Sequence, residues 1–378
     1  MRSVSPMMFY RTLSVLSLLL LLAGCASLSP QEQAARDRVL IQYREAATAM
    51  RQAQFPQAKA ILDDALLSLG GISAGDKTAK EARSYFREES RKSFRGEPYE
   101  RVMAYYYRGI LYWMDGEPDN ARACFRSAAI QDADPEQHTY ESDYVLLDYL
   151  DGLASTKLRG DGTDAFNRAQ KVARLARPPA YDPSANVLVF IEMGHGPEKY
   201  AAGEYREQLH FSPGSSVSTA AAITVDGGAI TGFAPAYDDL SFQATTRGGR
   251  QMDYILANKA VFKRTTDVVG DVGIIGGAAT MLGGAANGNS TATEVGAGLL
   301  ALGLVSKIVS SATTPEADTR TWDNLPNLLG FAALRAAPGH HTMTVEFHNA
   351  GGQPTLRREL AFDAVNGRDT VIFVSDRN

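Results

Sequence analysis

Histidine and glutamate side chains that could bind a metal ion alternate along one stretch near the end of the sequence. His340, Glu346 and His348 are spaced by even numbers of residues, and residues so spaced on a β-strand share one face. A Glu-x-His pair on a strand can present two ligands to zinc. No second cluster is visible, and His195 and His210 lie far away in the sequence. The pattern therefore favours a solvated strand face over a zinc site.

Motifs for catalysis and for cofactor binding are absent from the sequence. It contains no Ser-His-Asp pattern with a nucleophile elbow, no HExxH metal motif and no phosphate-binding P-loop. Aspartate and glutamate are scattered, and nothing selects two of them as a catalytic pair. We therefore expect neither an enzyme nor a protein that binds a cofactor or a metal.

Lipid attachment is the chemistry that the sequence specifies most clearly. Basic residues begin the chain, an apolar stretch follows from Leu13, and Leu22-Ala23-Gly24-Cys25 closes it. These features predict a signal peptide over residues 1–24, because the apolar stretch is too short to span a membrane.

The residues that close this stretch resemble the lipobox of bacterial lipoproteins. In that family the cysteine thiol receives a diacylglycerol, the chain is cut before it, and the new amino group is acylated. The resemblance implies that Cys25 is lipidated and that several acyl chains anchor the protein stably. Because Ala26 rather than aspartate follows, it also implies the outer membrane, with the protein facing the periplasm. The alternative is an ordinary cleaved secretory signal with an incidental cysteine.

Composition limits the remaining possibilities. The chain has 378 residues, a net charge of −5 at pH 7 and 44% hydrophobic residues, which is typical of a folded protein without a general attraction to nucleic acid. Its length is enough for two domains. Cys124 is the only cysteine besides Cys25, so no disulfide framework is expected, and its helical surroundings predict a buried structural thiol.

Apolar residues at helical spacing predict an N-terminal helical domain over residues 36–178, after a lipidated polar tether over residues 25–35. Two apolar stripes lie within Arg36–Leu69, and Phe55-Pro56 breaks the helix between them. Further helical patterns follow as far as Pro178 and Pro179, where the apolar period changes from 3.6 to 2.

Within this domain, residues 102–135 resemble a tetratricopeptide repeat (TPR), which is two antiparallel helices in roughly 34 residues. Small residues in that motif let the helices approach, and aromatic residues fill the groove between them. Arg108 stands where the motif usually has leucine. Two weaker matches flank the pair, and the alternative is an irregular helical bundle. The matching residues are Tyr105, Gly109 and Tyr112 on the first helix, Gly116 in the turn, and Ala121, Phe125 and Ala128 on the second.

The TPR resemblance also implies a partner-binding groove on the first helix. Its apolar and aromatic character suits an apolar helix or strand of another protein, since such residues are common anchors at interfaces. The alternative is that this face packs against the neighbouring helix or the β-domain of the same chain. The groove residues would be Met103, Tyr106, Ile110, Trp113 and Met114.

Short apolar runs separated by Gly and Pro turns predict a β-rich domain over residues 184–378, organised as a β-sandwich. The first strand is Asn186-Val-Leu-Val-Phe-Ile-Glu192. The segment 322–335 is predicted to be a short helix, and 253–263 is compatible with another. The further predicted strands are 206–211, 217–225, 240–246, 341–348, 356–362 and 370–375.

A Gly/Ala-rich insertion over residues 268–312 interrupts this domain. Small residues at four-residue spacing would form a smooth seam on a helix, which allows close helix–helix contact. The segment could form a helical hairpin that resembles the glycine-zipper segments of outer-membrane lipoproteins and that self-associates. Asp271 and Lys307 argue against a clean span, because charges are costly at bilayer depth. The alternative is a flexible excursion or a hairpin packed on the β-domain.

The complete layout is α+β: a TPR-like helical repeat domain followed by a β-sandwich-like domain that contains the insertion. It resembles an uncharacterised group of bacterial lipoproteins in which a strand ending in Gly-x-x-Pro follows TPR-like helices. Residues 186–197 carry that feature here, and Lys199 follows it.

Three functional hypotheses follow from the sequence. We favour a membrane-anchored envelope lipoprotein that acts as an interaction scaffold or regulator for an envelope protein partner. The second hypothesis is a glycine-zipper lipoprotein that inserts into or assembles at the outer membrane through residues 268–312. The third is a cell-wall glycan binder or hydrolase in the β-domain.

Overall fold

The computed structural model describes residues 29–68, 93–132, 143–246 and 316–377. Cys25, the insertion 268–312 and the predicted helix 253–263 lie outside these ranges. The described part is a mixed α+β structure with seven helices, six of which precede the first strand. The helices are α1 Pro30–Arg51, α2 Phe55–Ser68, α3 Pro98–Met114, α4 Pro118–Asp132, α5 Val145–Lys157, α6 Thr163–Val172 and α7 Leu240–Thr246.

Helix α1 begins earlier than the sequence pattern predicts. The Ser29 hydroxyl accepts a hydrogen bond from the Glu32 amide, and the Glu32 carboxylate accepts one from the Ser29 amide at 2.9 Å. This reciprocal capping box, with Pro30 in the first turn, starts the helix inside the predicted tether 25–35 and corrects that boundary. The first interruption lies at residues 52–54, so Phe55-Pro56 opens α2 instead of breaking a helix.

Helices α3 and α4 pack closely against each other where Gly109 meets Phe125. A Cβ atom on Gly109 would lie 2.6 Å from the Phe125 ring, so only glycine allows this approach. Gly116, at φ +82°, forms the turn between the helices. Arg108, at the departure from the motif, pairs with Asp63 of α2 at 2.6 Å. Arg108 stands where the motif usually has leucine, and its ion pair joins the α3–α4 pair to the α1–α2 pair.

Seven of the strands in the described ranges form a single sheet that is nearly closed, so the prediction of a sandwich of two sheets is wrong. Its order is β8-β7-β4-β5-β6-β1-β9, and all pairs are antiparallel except β1 with β9. Strands β2 and β3 form a separate hairpin. The strands are β1 Val187–Met193, β2 Glu198–Ala202, β3 Gln208–Ser212, β4 Ala220–Val225, β5 Ile230–Asp239, β6 Leu328–Leu334, β7 Gly339–His348, β8 Pro354–Ala364 and β9 Thr370–Ser375.

Two predicted elements have the opposite type in the structure. Residues 240–246, predicted as a strand, form α7, because the Asp239 carboxylate accepts a hydrogen bond from the Ser241 amide at 2.8 Å and caps a helix start. Residues 322–335, predicted as a helix, contain β6, which is buried and pairs with β1 and β5. Strands β2 and β5 were not predicted. The strands predicted at β1, β3, β4, β7, β8 and β9 are confirmed.

Strand β1 is buried on both faces and separates two apolar cores. Leu188 and Phe190 belong to the core that the helices share with the sheet. Val187, Val189 and Ile191 point into the concave side of the sheet, where side chains from all its strands meet. This double burial explains why residues 187–191 of β1 are continuously apolar instead of alternating.

Candidate functional site

The predicted groove residues of α3 lie in the interface between the helices and the sheet. Met103, Tyr106, Ile110 and Trp113 are buried, and Met114 is half-buried. Tyr106 contacts the Phe190 ring of β1, with ring centroids 6.2 Å apart. The Trp113 indole donates a hydrogen bond to Asp369 at 3.0 Å. In the structure this face therefore contacts the chain's own sheet, and the four buried side chains have no surface to offer a partner.

A buried charged pair ties α1 to β1 at the centre of this interface. The Arg51 guanidinium pairs with the Glu192 carboxylate at 3.0 Å, and both side chains are buried. The Tyr107 hydroxyl donates a hydrogen bond to the other Glu192 oxygen. Burial, with Glu192 nearby, raises the pKa of Tyr107 well above its usual value, so the phenol stays protonated. The three groups satisfy one another and hold α1 and α3 on the sheet.

A second buried pair explains the position of Lys199. Its ammonium group lies 2.6 Å from the Glu100 carboxylate of α3, and both side chains are buried. The other Glu100 oxygen accepts a hydrogen bond from the Trp322 amide at 2.7 Å. Burial raises the pKa of Glu100, and the Lys199 charge opposes that rise. The lysine after the Gly-x-x-Pro feature thus holds the β2–β3 hairpin on the helices.

An accessible cleft of about 370 Å³ opens where α5 begins, α6 ends and α7 meets β5. Its walls are formed mainly by Val172, Leu175 and Phe242, and the Leu175 side chain is 54% exposed. The Arg174 guanidinium lies over the Phe242 ring at 3.9 Å. The cleft is thus an apolar surface with one cation at its edge.

Three carboxylates line the same cleft. Asp143 accepts a hydrogen bond from Gln243 at 2.7 Å, and Asp239 caps α7. The buried Asp238 carboxylate accepts hydrogen bonds from the Val145 and Leu146 amides at 2.7 and 2.9 Å. Among the described residues that line the cleft, there are therefore three acidic side chains and one guanidinium group, that of Arg174.

The acidity of Asp238 is strongly perturbed. Burial raises its pKa to about 7, and the two backbone hydrogen bonds oppose that rise. A carboxyl group that titrates near neutral pH in a cleft is a recognised candidate for acid–base catalysis. Both oxygens, however, bind the start of α5, and the cleft-lining residues described include no serine, cysteine, histidine or lysine. The arrangement suits binding better than catalysis.

The histidines of β7 are engaged with neighbouring carboxylates. His340 lies 2.9 Å from Asp363, and His348 lies 3.0 Å from Glu346. No group of three or more potential metal ligands occurs in the described ranges. His340 and its carboxylate partner are largely exposed, as a solvated strand face requires.

Among the residues that the structure describes, no helix combines the length and the apolar character needed to span a bilayer. The candidate functional residues that the sequence did not reveal are Asp238 and the cleft around it. Asp238 gave no signal, and that of the cleft was indirect, since the helical pattern that ends near Leu175 leaves an apolar residue just before a Pro-rich turn.

Comparisons with known proteins add no relative: no protein-family model, characterised protein or solved structure matches the chain.

Proposed function

We propose that this chain is a non-enzymatic lipoprotein of the bacterial envelope that serves as an interaction scaffold or regulator for another envelope protein. The lipobox-like residues before Cys25 support an anchor at the outer membrane, facing the periplasm. The observation that carries the scaffold role is the cleft at Leu175, which combines apolar walls with an excess of acidic groups.

The helical layer supports a TPR-like organisation with an altered use of its surfaces. The close approach of Gly109 to Phe125 is the packing that such repeats need. The face that would form the groove packs against the sheet, through Tyr106 and Trp113. Partner binding is therefore assigned to the cleft at the edge of the helical layer.

The occupant that fits the cleft is an apolar segment of an envelope protein that carries a basic residue. Leu175 and Phe242 supply an apolar surface. Even without the buried Asp238, the carboxylates of Asp143 and Asp239 outnumber the guanidinium of Arg174 among the described lining residues, so a lysine or arginine on the partner is complementary to the cleft. The same acidic groups would repel an acidic segment.

A photo-crosslinking amino acid at Leu175, introduced in living cells, tests this proposal. We expect a specific adduct with another envelope protein, and mass spectrometry should place the adduct beside a lysine or arginine within an apolar stretch. The Asp143→Lys substitution should reduce the adduct at least about fivefold, because it converts an acidic group of the cleft into a repulsive one.

The matched control is the same crosslinker at Val365, which is also 54% exposed but lies in the turn after β8. It should not capture that protein. Equal capture at both positions, adducts only within the chain itself, or an adduct insensitive to Asp143→Lys would contradict the assignment of the cleft.

A further inference from the structure

A second cavity, of about 510 Å³, lies at the opposite end of α5 from the cleft. Lys157, the last residue of α5, and Trp113, near the end of α3, form its inner wall. The turn between β8 and β9 supplies Arg368, and Arg335 follows β6. Its volume is in the range of small-molecule sites, and charged and amide groups dominate its lining.

The inner wall of the cavity is fixed and internally neutral. The Lys157 ammonium lies 2.6 Å from one oxygen of Asp369, and the Trp113 indole donates to the other oxygen at 3.0 Å. Lys157 also donates a hydrogen bond to the Ala185 carbonyl. Because these groups satisfy one another, neither charge is available to a ligand, but together they hold the turn that carries Arg368.

The two arginines are the cations that remain for a ligand. The nearest carboxylate to Arg335 is Asp182, at 3.9 Å, and with the arginine side chain 67% exposed this pair is weak. Arg368 donates one hydrogen bond to the Met114 carbonyl at 2.5 Å and has no carboxylate partner among the described residues. The cavity therefore has two guanidinium groups whose charge is largely uncompensated.

Glycine at position 116 keeps Arg368 in place. A Cβ atom there would lie 3.1 Å from Nε of Arg368, so the guanidinium lies directly on the bare turn. The positive φ of +82° requires glycine for the same turn. This close packing restrains a side chain that would otherwise lose much conformational entropy on binding a ligand.

We propose that this cavity binds a small ligand through a phosphate group held between Arg335 and Arg368. Guanidinium groups offer planar, paired N–H donors that match phosphate oxygens, and they remain charged at every physiological pH. The chain as a whole carries a net charge of −5, so a local excess of positive charge is not a consequence of its composition. The phosphate could belong to a soluble compound or to a lipid headgroup.

Isothermal titration of the purified full chain at physiological salt tests the site with two probes. Inorganic phosphate represents soluble ligands, and glycerophosphoglycerol represents the headgroup of phosphatidylglycerol without its acyl chains. We expect saturable binding of at least one probe. Tighter binding of phosphate would indicate a soluble ligand, and tighter binding of the diester would indicate a lipid.

Substitutions separate this site from general charge effects. Arg335→Gln and Arg368→Gln should each weaken binding about tenfold, as expected for a lost charge-assisted hydrogen bond. Arg368→Lys should retain part of the affinity, because lysine keeps the positive charge. This variant distinguishes loss of the charged ligand contact from a disturbance of the turn. Arg126→Gln is the control, because Arg126 is 57% exposed and pairs with Asp151 on the helices. No saturable binding of either probe, or equal weakening by Arg126→Gln, would overturn the proposal.

Discussion

At the scale of single residues, buried charged side chains define the interface between the helices and the sheet. Glu100 with Lys199 and Arg51 with Glu192 are buried pairs that join elements far apart in the sequence. Removing one member of such a pair leaves an uncompensated charge in a medium of low polarity, whereas replacing both members costs much less. The two pairs therefore fix how the helices dock on the sheet, and their net contribution to the free energy of unfolding is small.

Lys199→Met should lower the free energy of unfolding by about 3 to 5 kcal/mol, because the Glu100 carboxylate would remain buried without a counter-charge. The double variant Glu100→Gln with Lys199→Met should recover a large part of this loss. Chemical denaturation of the wild type, of the single variants Glu100→Gln and Lys199→Met, and of the double variant measures the coupling free energy between the two side chains.

The control for this cycle is Lys59→Met, which removes an exposed partner of Asp115 and should cost less than about 1 kcal/mol. Equally small losses of unfolding free energy in Lys199→Met and Lys59→Met would show that burial of the Glu100–Lys199 pair does not make its disruption costly.

Asp238 gives the stability a specific dependence on pH. Its pKa is raised from 3.8 to about 7 in the folded state, so the folded protein binds more protons than the unfolded chain between these values. The contribution of Asp238 to the free energy of unfolding is therefore highest below about pH 4, falls as the pH rises to about 7, and is constant at higher pH. The total loss is on the order of 4 kcal/mol, because each unit of the pKa shift corresponds to about 1.4 kcal/mol.

Asp238→Asn should remove this part of the pH dependence. The measurement is the difference in unfolding free energy between wild type and variant from pH 4 to 8, which cancels the contributions of other groups. A constant offset is expected as well, because an amide can accept the two α5 hydrogen bonds less well. A difference that does not change with pH would contradict the raised pKa.

Single residues of the candidate site were only partly predictable. Met103, Tyr106 and Trp113 have the apolar character of contact residues, and the structure places them in a contact within the chain. The sequence left that alternative open, because it contains no record of which surface covers an apolar stripe. Asp238 gave no signal, since its pKa depends on burial beside the α5 amides and not on neighbouring sequence.

At the scale of elements, local signals succeeded where they agreed with tertiary packing. The α3–α4 pair has apolar residues at helical spacing and β1 has a short continuous apolar run, and the type of each element follows from these patterns. Residues 328–334 have a Leu/Ala-rich sequence that suits a helix, but pairing on both sides by β1 and β5 makes them a strand. Such long-range pairing decides whether the strands form one curved sheet or two stacked sheets. The apolar pattern of each strand does not show which strands pair, so the single sheet could not be predicted.

Gly109→Ala tests the closeness of the α3–α4 pair. The new methyl group would meet the Phe125 ring at 2.6 Å, so the free energy of unfolding should fall by about 1 to 3 kcal/mol. Adding Phe125→Leu should restore part of the loss if the clash with the ring causes it. Gly228→Ala is the control, because its Cβ would have only an ordinary contact, and it should change stability by less than about 0.5 kcal/mol. Equal effects at both glycines would contradict the observed packing.

At the scale of the whole molecule, the segment before β6 connects the helical layer to the sheet. The Trp322 ring stacks on the Tyr43 ring of α1, with the ring centroids 4.3 Å apart. The backbone amide of Trp322 donates a hydrogen bond to the Glu100 carboxylate. Arg44 and Arg51 of α1 donate hydrogen bonds to the carbonyls of Thr321 and Asn324 at 2.7 Å each. Because these contacts lie in the core that both layers share, loss of either layer should remove the other.

Thermal unfolding should therefore be a single transition for the helices and the interface. Far-ultraviolet circular dichroism at the helical band and fluorescence of the two tryptophans should give the same midpoint. Trp322→Ala should lower both midpoints together, with a loss of about 3 to 5 kcal/mol for the large buried ring. Helical signal that persists after the fluorescence change would show that the layers unfold separately.

The parallel pairing of β1 with β9 determines when this fold can be completed during synthesis. Val187 pairs with Thr370, so nearly half of the chain is made between the two partners. Until β9 arrives, β1 has one open edge while being apolar on both faces, which is a template for wrong pairing between chains. Closing such distant ends is slow relative to forming helices. The edge of β1 therefore stays exposed to wrong pairing until the last described strand emerges, and a chain truncated before Thr370 should aggregate.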